Sequence, residues 1–292
     1  MVSIYSDTNA KVVVETFTRQ RDGEDIIIGR PEVGSFLAIP SEAIDALDLL
    51  ARGKTIGEVG QYYLDKDGEV PDLTEFLEML SVHGFISTLG QDSKKNAVKS
   101  AGSRSSIRFH FASFPEELAQ KIFGPATVSI CIILSLVAVG LCYLDRSLIP
   151  RSSSIYFPFS RTLSIALLIL EGYFALVLHE FSHLVAARAA GVDSKFGLGH
   201  RLWYIVAETD LTGLWSVPKE RRYLPFLAGV LVDATSGAVL IILIFCCRRG
   251  WPPLSPFWTN LVKAMIFAYA MRIVWQCFLF VRTDFYYVIA NF

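Results

Sequence analysis

Apolar positions change period along this chain. Residues 11–39 alternate in short β-branched runs, "KVVVETF", "DIIIGR" and "GSFLAI", broken by Gly and Pro, which predicts three short strands. The period then lengthens. "PSEAIDALDLLARG" places Ile44, Leu47, Leu50 and Ala51 on one helical face and ends at Gly53. "TIGEVGQYY" opens with the capping-box pair Thr55 and Glu58, and "PDLTEFLEMLSVHG" opens on Asp72 and Glu75 with Leu73, Phe76, Leu77 and Leu80 at core spacing. "FIST" then predicts a closing strand. Residues 91–108, "QDSKKNAVKSAGSRSSIR", have almost no large apolar group and read as a basic linker.

After the linker the pattern becomes nearly continuous grease. Residues 122–144 carry no charge, and at about 1.5 Å per residue they span a hydrocarbon core of roughly 30 Å. Three later runs are also long enough: 162–190 with Glu171, 223–247 with Asp233, and 264–292 with Arg272, Arg282 and Asp284. Charges inside such runs are costly, so they are expected to face the bundle interior, with Glu171 and Arg272 as a candidate structural pair. The fold class expected is multi-domain. A small α+β winged-helix-like domain (residues 1–90) and a basic linker (91–121) precede an all-α polytopic membrane bundle (122–292) of about four transmembrane helices. Between the second and third runs, "FGLGHRLWYIVAETD" is too apolar for a solvent loop and reads as a re-entrant hairpin or an interfacial loop. As a hairpin, its "LWYIVA" would offer an edge strand to an extended substrate through Trp203, Ile205 and Ala207.

Composition sharpens the division. The first 90 residues hold 7 Lys/Arg against 16 Asp/Glu, and the remaining 202 hold 20 against 12. A strongly acidic domain is poorly made for binding nucleic acid, so no nucleic-acid partner is expected. Lys and Arg are denser on the linker side of the bundle, which puts the N-terminal domain in the cytosol by the positive-inside rule. Residues 1–9 lack a basic start followed by an apolar core, so no signal peptide is expected. The five cysteines all lie in apolar runs and read as small buried hydrophobes.

Candidate chemistry sits inside the second apolar run, in "LVLHEFSHLVAARAAGV". His179 and His183, four residues apart, project from one helical face and can share a tetrahedral Zn²⁺. Glu180 flanks them as the base that a water nucleophile needs. Two histidines and a glutamate buried without a metal would be expensive. A hydrolytic zinc site takes a third protein ligand and leaves one position open. His200, Glu208, Asp210 and Asp284 are the candidates.

Residues 165–292 resemble the site-2 protease family of intramembrane zinc metalloproteases, and within it the peptide zinc metalloprotease branch. The likeness rests on "LHEFSHLVAARAAGV", "TDLTGLWSVPKERRYLPFLAGVLVDA" and "RTDFYYVIA". The resemblance implies His179, His183 and Asp284 as zinc ligands and Glu180 as the base. It also implies a multi-pass protein of the bacterial inner membrane, in contact with lipid. The family's widespread Asn-x-x-Pro…Asp-Gly motif is absent, which leaves the oxyanion-stabilising group unassigned. Residues 11–88 resemble PqqD-like domains, which recognise leader peptides of ribosomally made products. That resemblance implies a leader adding beside the third predicted strand and against the third helix, near Ser35, Leu37, Ile39 and Leu77. Together the two resemblances imply an endopeptidase that captures a precursor peptide by its leader and cleaves it. The rival readings are release of a membrane-tethered regulator, and a non-catalytic binding or export partner. The intact Glu180 weighs against the last.

Overall fold

The computed structural model describes residues 5, 7–88, 107–110, 114–155, 160–201 and 204–292. It is mostly helical, with small sheets and three long apolar helices. The chain divides into two compact units, Met1–Ser105 with Thr212–Lys219, and Ser106–Leu211 with Glu220–Phe292.

In the first unit, β1 (Val12–Val14) pairs antiparallel with β5 (Ile86–Thr88), and β2 (Thr18–Asp22), β3 (Asp25–Arg30) and β4 (Ser35–Pro40) form a three-stranded meander. The three helices α1 (Ala43–Ala51), α2 (Ile56–Asp67) and α3 (Leu73–Val82) follow where the periodicity places them. Their starts are chemically specified. Thr55 accepts from the Glu58 amide while Glu58 returns the bond to the Thr55 amide, and Asp72 accepts from the amides of Thr74 and Glu75. Ile28, Ile39, Leu47, Leu77, Leu80 and Phe85 form the core.

β2 is not among the expected strands. Its sequence, "TRQRD", has no apolar alternation, and the turn Gly23 makes at φ 67° folds it onto β3. Of the positions expected to read a peptide, Ile39 and Leu77 are each 1% exposed, and their side chains belong to the core. Ser35 and Leu37 are half-buried, and the Ser35 hydroxyl donates to the His83 carbonyl at 3.0 Å.

In the second unit, β6 (Ile107–His110), β7 (Lys195–Arg201) and β8 (Tyr204–Asp210) form an antiparallel sheet in that order. Over 196–210, read from sequence as a re-entrant hairpin or an interfacial loop, β7 and β8 pair antiparallel, and β6 adds a third strand. The linker expected over 91–121 ends sooner, because β6 and the helix α4 (Glu116–Ile122) lie within it. Residues 89–106 are outside the described residues. Then come α5 (Pro125–Leu144), α6 (Arg161–Ala189), α7 (Lys219–Arg248), α8 (Pro256–Gln276) and the short α9 (Asp284–Ala290).

Among the described residues, three segments are long and apolar enough to cross a membrane: Glu116–Leu144, Thr162–Ala189 and Lys219–Arg248. Their outward faces are apolar. In α5 only Ala138 is buried, while Leu136 and Val139 are 65% and 67% exposed, a surface suited to lipid rather than water. The fourth apolar run is not one helix. It divides at Gln276 into the end of α8, a 3₁₀ turn at Leu279–Val281, and α9, with Arg282 in the left-handed region at φ 56° between them. Cys277, in this break, is exposed rather than buried; the other four cysteines are half-buried.

Candidate metal centre

α6 sets the two histidines one turn apart, their ring centroids 4.9 Å apart. Both are buried. Each imidazole uses its Nδ1 on a fixed partner from α7. His183 Nδ1 lies 2.7 Å from the carbonyl oxygen of Pro225, and His179 Nδ1 lies 2.9 Å from Asp233 Oδ2. A carbonyl oxygen can only accept, so His183 carries its proton on Nδ1. Asp233 Oδ2 also accepts from Arg272 Nε, and as an acceptor it assigns the same tautomer to His179. Both Nε2 lone pairs are thereby left for another group. This is the outer-shell arrangement by which proteins orient metal-ligating imidazoles.

The third member comes from the broken fourth run. The turn at Arg282 starts α9 at Asp284, whose backbone amide donates to Gln276 Oε1 at 3.1 Å, while the Thr283 hydroxyl donates to the Gln276 carbonyl at 2.6 Å. The far end of α9 is tied to α7: Arg222 donates to Asn291 Oδ1 and the Tyr223 hydroxyl to the Asn291 carbonyl, both at 3.3 Å, and Phe226 stacks on Tyr287 at 5.7 Å. So fixed, Asp284 Oδ2 lies 3.1 Å from His179 Nε2 and 3.4 Å from His183 Nε2.

Three potential ligand atoms thus meet within 4.8 Å of one another. Asp284 Oδ2 is buried and accepts no well-formed hydrogen bond, so three lone-pair donors converge on one point. Ligands held about 2.0–2.1 Å from one tetrahedral ion lie roughly 3.3 Å apart, which the 3.1 and 3.4 Å distances from Asp284 Oδ2 to the two imidazoles match. The residues therefore fit a metal ion. Close approach is needed for this. A Cβ built on Gly229 of α7 would overlap both imidazoles, so only glycine admits them.

Glu180, half-buried beside the cluster, is held by β8. The Thr209 amide donates to Glu180 Oε2 at 3.2 Å, and the Thr209 hydroxyl to the Glu180 carbonyl at 2.9 Å. Glu180, the two histidines, Thr209, Arg272 and Asp284 share a cavity of about 460 Å³. It is large enough to hold water beside the cluster.

Arg272 does not take the partner expected of it. Its Nε donates to Asp233 Oδ2 at 3.1 Å, whereas both carboxylate oxygens of Glu171 are buried without a hydrogen-bond partner. Asp233 therefore bridges Arg272 and His179. Its place behind a histidine was missed in the sequence, where the only signal was the cost of an acid in an apolar run.

Of the other ligand candidates, Asp210 ends β8 and is not part of the cluster. His200 lies on β7 and Glu208 on β8, where their side chains are outside the described residues. Trp203 is outside them as well, and Ile205 and Ala207 are placed by backbone only, on β8. Comparison with protein-family models, with curated proteins and with solved structures gives no match to this chain.

Proposed function

We propose that this chain is a membrane-embedded zinc endopeptidase that cleaves a ribosomally made precursor peptide, captured through its N-terminal domain. The observation that carries the reading is the convergence of His179, His183 and Asp284, with Glu180 beside them in a cavity large enough to hold water. Zinc suits two imidazoles and one carboxylate, held here by His179 Nε2, His183 Nε2 and Asp284 Oδ2. When bound, it supplies Lewis acidity that makes water a usable nucleophile near neutral pH.

The chain's own residues do the rest. Glu180 takes the proton of the attacking water and returns it to the departing amine nitrogen. The Thr209 amide holds one of its oxygens and leaves the other for that exchange. Asp233 and the Pro225 carbonyl keep the imidazoles in the required tautomer. Among the described residues β8 has β7 as its only strand neighbour, so its outer edge is suited to pairing with an extended substrate beside the point where Thr209 meets Glu180.

In the N-terminal domain, strands and three helices in winged-helix-like order support a PqqD-like role. There the leader would add along β4, an edge strand of its sheet, through main-chain bonds. With three apolar helices of spanning length, we place the protein in a bacterial inner membrane with this domain in the cytosol.

The test is Glu180→Gln in the full chain. Cleavage of a precursor should fall by about two to four orders of magnitude, with the zinc content unchanged. Full turnover by this variant would overturn the mechanism.

A further inference from the structure

A second cavity, of about 290 Å³, opens at the far ends of the long helices. α5 ends at Leu144, α7 at Arg248, and α8 begins at Pro256. These ends are held together by Arg248, whose Nη1 lies 3.2 Å from Asp145 Oδ2 and 2.5 Å from Ser147 Oγ. Arg151, Arg248 and Lys263 line the cavity, together with the hydroxyl residues Ser147, Ser153 and Ser154. The proposed chemistry uses none of these residues.

The charges do not balance. Asp145 answers Arg248, but Arg151 and Lys263 have no acidic partner among the described residues. Lys263 is also half-buried, in the second turn of α8. A part-buried ammonium with no anion beside it is unfavourable unless something from outside supplies the charge. Lysine, arginine and hydroxyl groups facing one space are the donors that recognise a phosphate.

The surroundings say which phosphate. Tyr143, Trp251 and Trp258 are 72%, 65% and 53% exposed at these same helix ends, as aromatic side chains stand at the headgroup level of a bilayer. Leu144, 79% exposed, adds an apolar side chain at the end of α5, as a lipid-facing surface would. We propose that this cavity binds the phosphodiester headgroup of an anionic phospholipid.

The full chain, purified with mixed vesicles of phosphatidylcholine and phosphatidylglycerol, would be examined by native mass spectrometry for the lipid it retains. Phosphatidylglycerol should be retained preferentially, and Lys263→Gln and Arg151→Gln should each weaken retention about fivefold. Arg151 is exposed, so its variant keeps the test open if Lys263→Gln fails to fold. Arg249→Gln, at the same helix end but outside the cavity, should change nothing. Equal retention of the two lipids, or unchanged retention when Arg151 is replaced, would overturn the proposal. Displacement of the lipid by an equal concentration of inorganic phosphate would overturn the lipid assignment in favour of a free-anion site.

Discussion

The two units of this protein both bury apolar side chains, but they differ in where their polar groups lie. In the first, the buried side chains are apolar, and the charged ones lie outward in pairs such as Arg19–Asp48 and Lys66–Asp45. In the second, the exposed surface of α5 is apolar, and every buried polar or charged residue among the described residues belongs to this unit. His179, His183, Asp233 and Arg222 are among them. The difference follows from the solvent. Water drives apolar groups inward, whereas lipid tails give them no reason to hide and push the polar groups into the interior. A buried polar cluster is therefore an added cost in the first setting and the natural site of chemistry in the second.

The comparison is most open to attack in the cores. Leu77→Ala removes a fully buried side chain, and it should cost about 2–5 kcal/mol in the first unit. Hydrogen exchange should show lost protection in α1–α3 with the zinc content unchanged. Loss of zinc in a variant whose second unit keeps its protection would show that the units are not separate cores.

A smaller effect is expected behind the histidine. Asp233→Asn keeps the shape but removes the charge that faces both His179 Nδ1 and Arg272 Nε. Zinc affinity should fall about 10- to 100-fold. An unchanged affinity in a competitive chelator titration would reduce Asp233 to a packing role.

The smallest lies on the surface. A hydrogen bond from Arg19 holds the Asp48 carboxyl below its usual range, but the pair is well exposed, so Arg19→Ala should cost only about 0.2–1 kcal/mol. Because the folded carboxyl is the stronger acid, this contribution is present above the ordinary aspartate value. It fades as the pH falls through the lowered one. Wild type and variant should therefore converge in stability in strong acid, and a gap that persists there would assign the loss to packing.

Much of this was legible in the sequence, and the limits have physical causes. The first three helices and the Thr55 capping box follow from periodicity and local chemistry. β2 does not, because its pairing is imposed by its neighbour. The apolar run over 264–292 reads as one span because composition carries no trace of the left-handed turn at Arg282 that ends it. His179 and His183 are legible because a single helix sets their spacing. Asp284 is distant in the chain, and its meeting with them depends on that turn and on the ties from Arg222 and Tyr223. The partner of Arg272 depends on how α7 and α8 are rotated, so the choice between Glu171 and Asp233 was not open to inspection of the chain.

The central claim is that His179, His183 and Asp284 together hold one zinc ion. Metal analysis of the purified full chain tests it most directly, with Asp284→Ala and Asp210→Ala alongside wild type. Wild type and Asp210→Ala should carry about one zinc per chain, as a three-ligand site with one open position would, and Asp284→Ala should carry almost none. A folded wild type free of zinc in zinc-replete medium, or an Asp284→Ala variant that keeps it, would contradict the account.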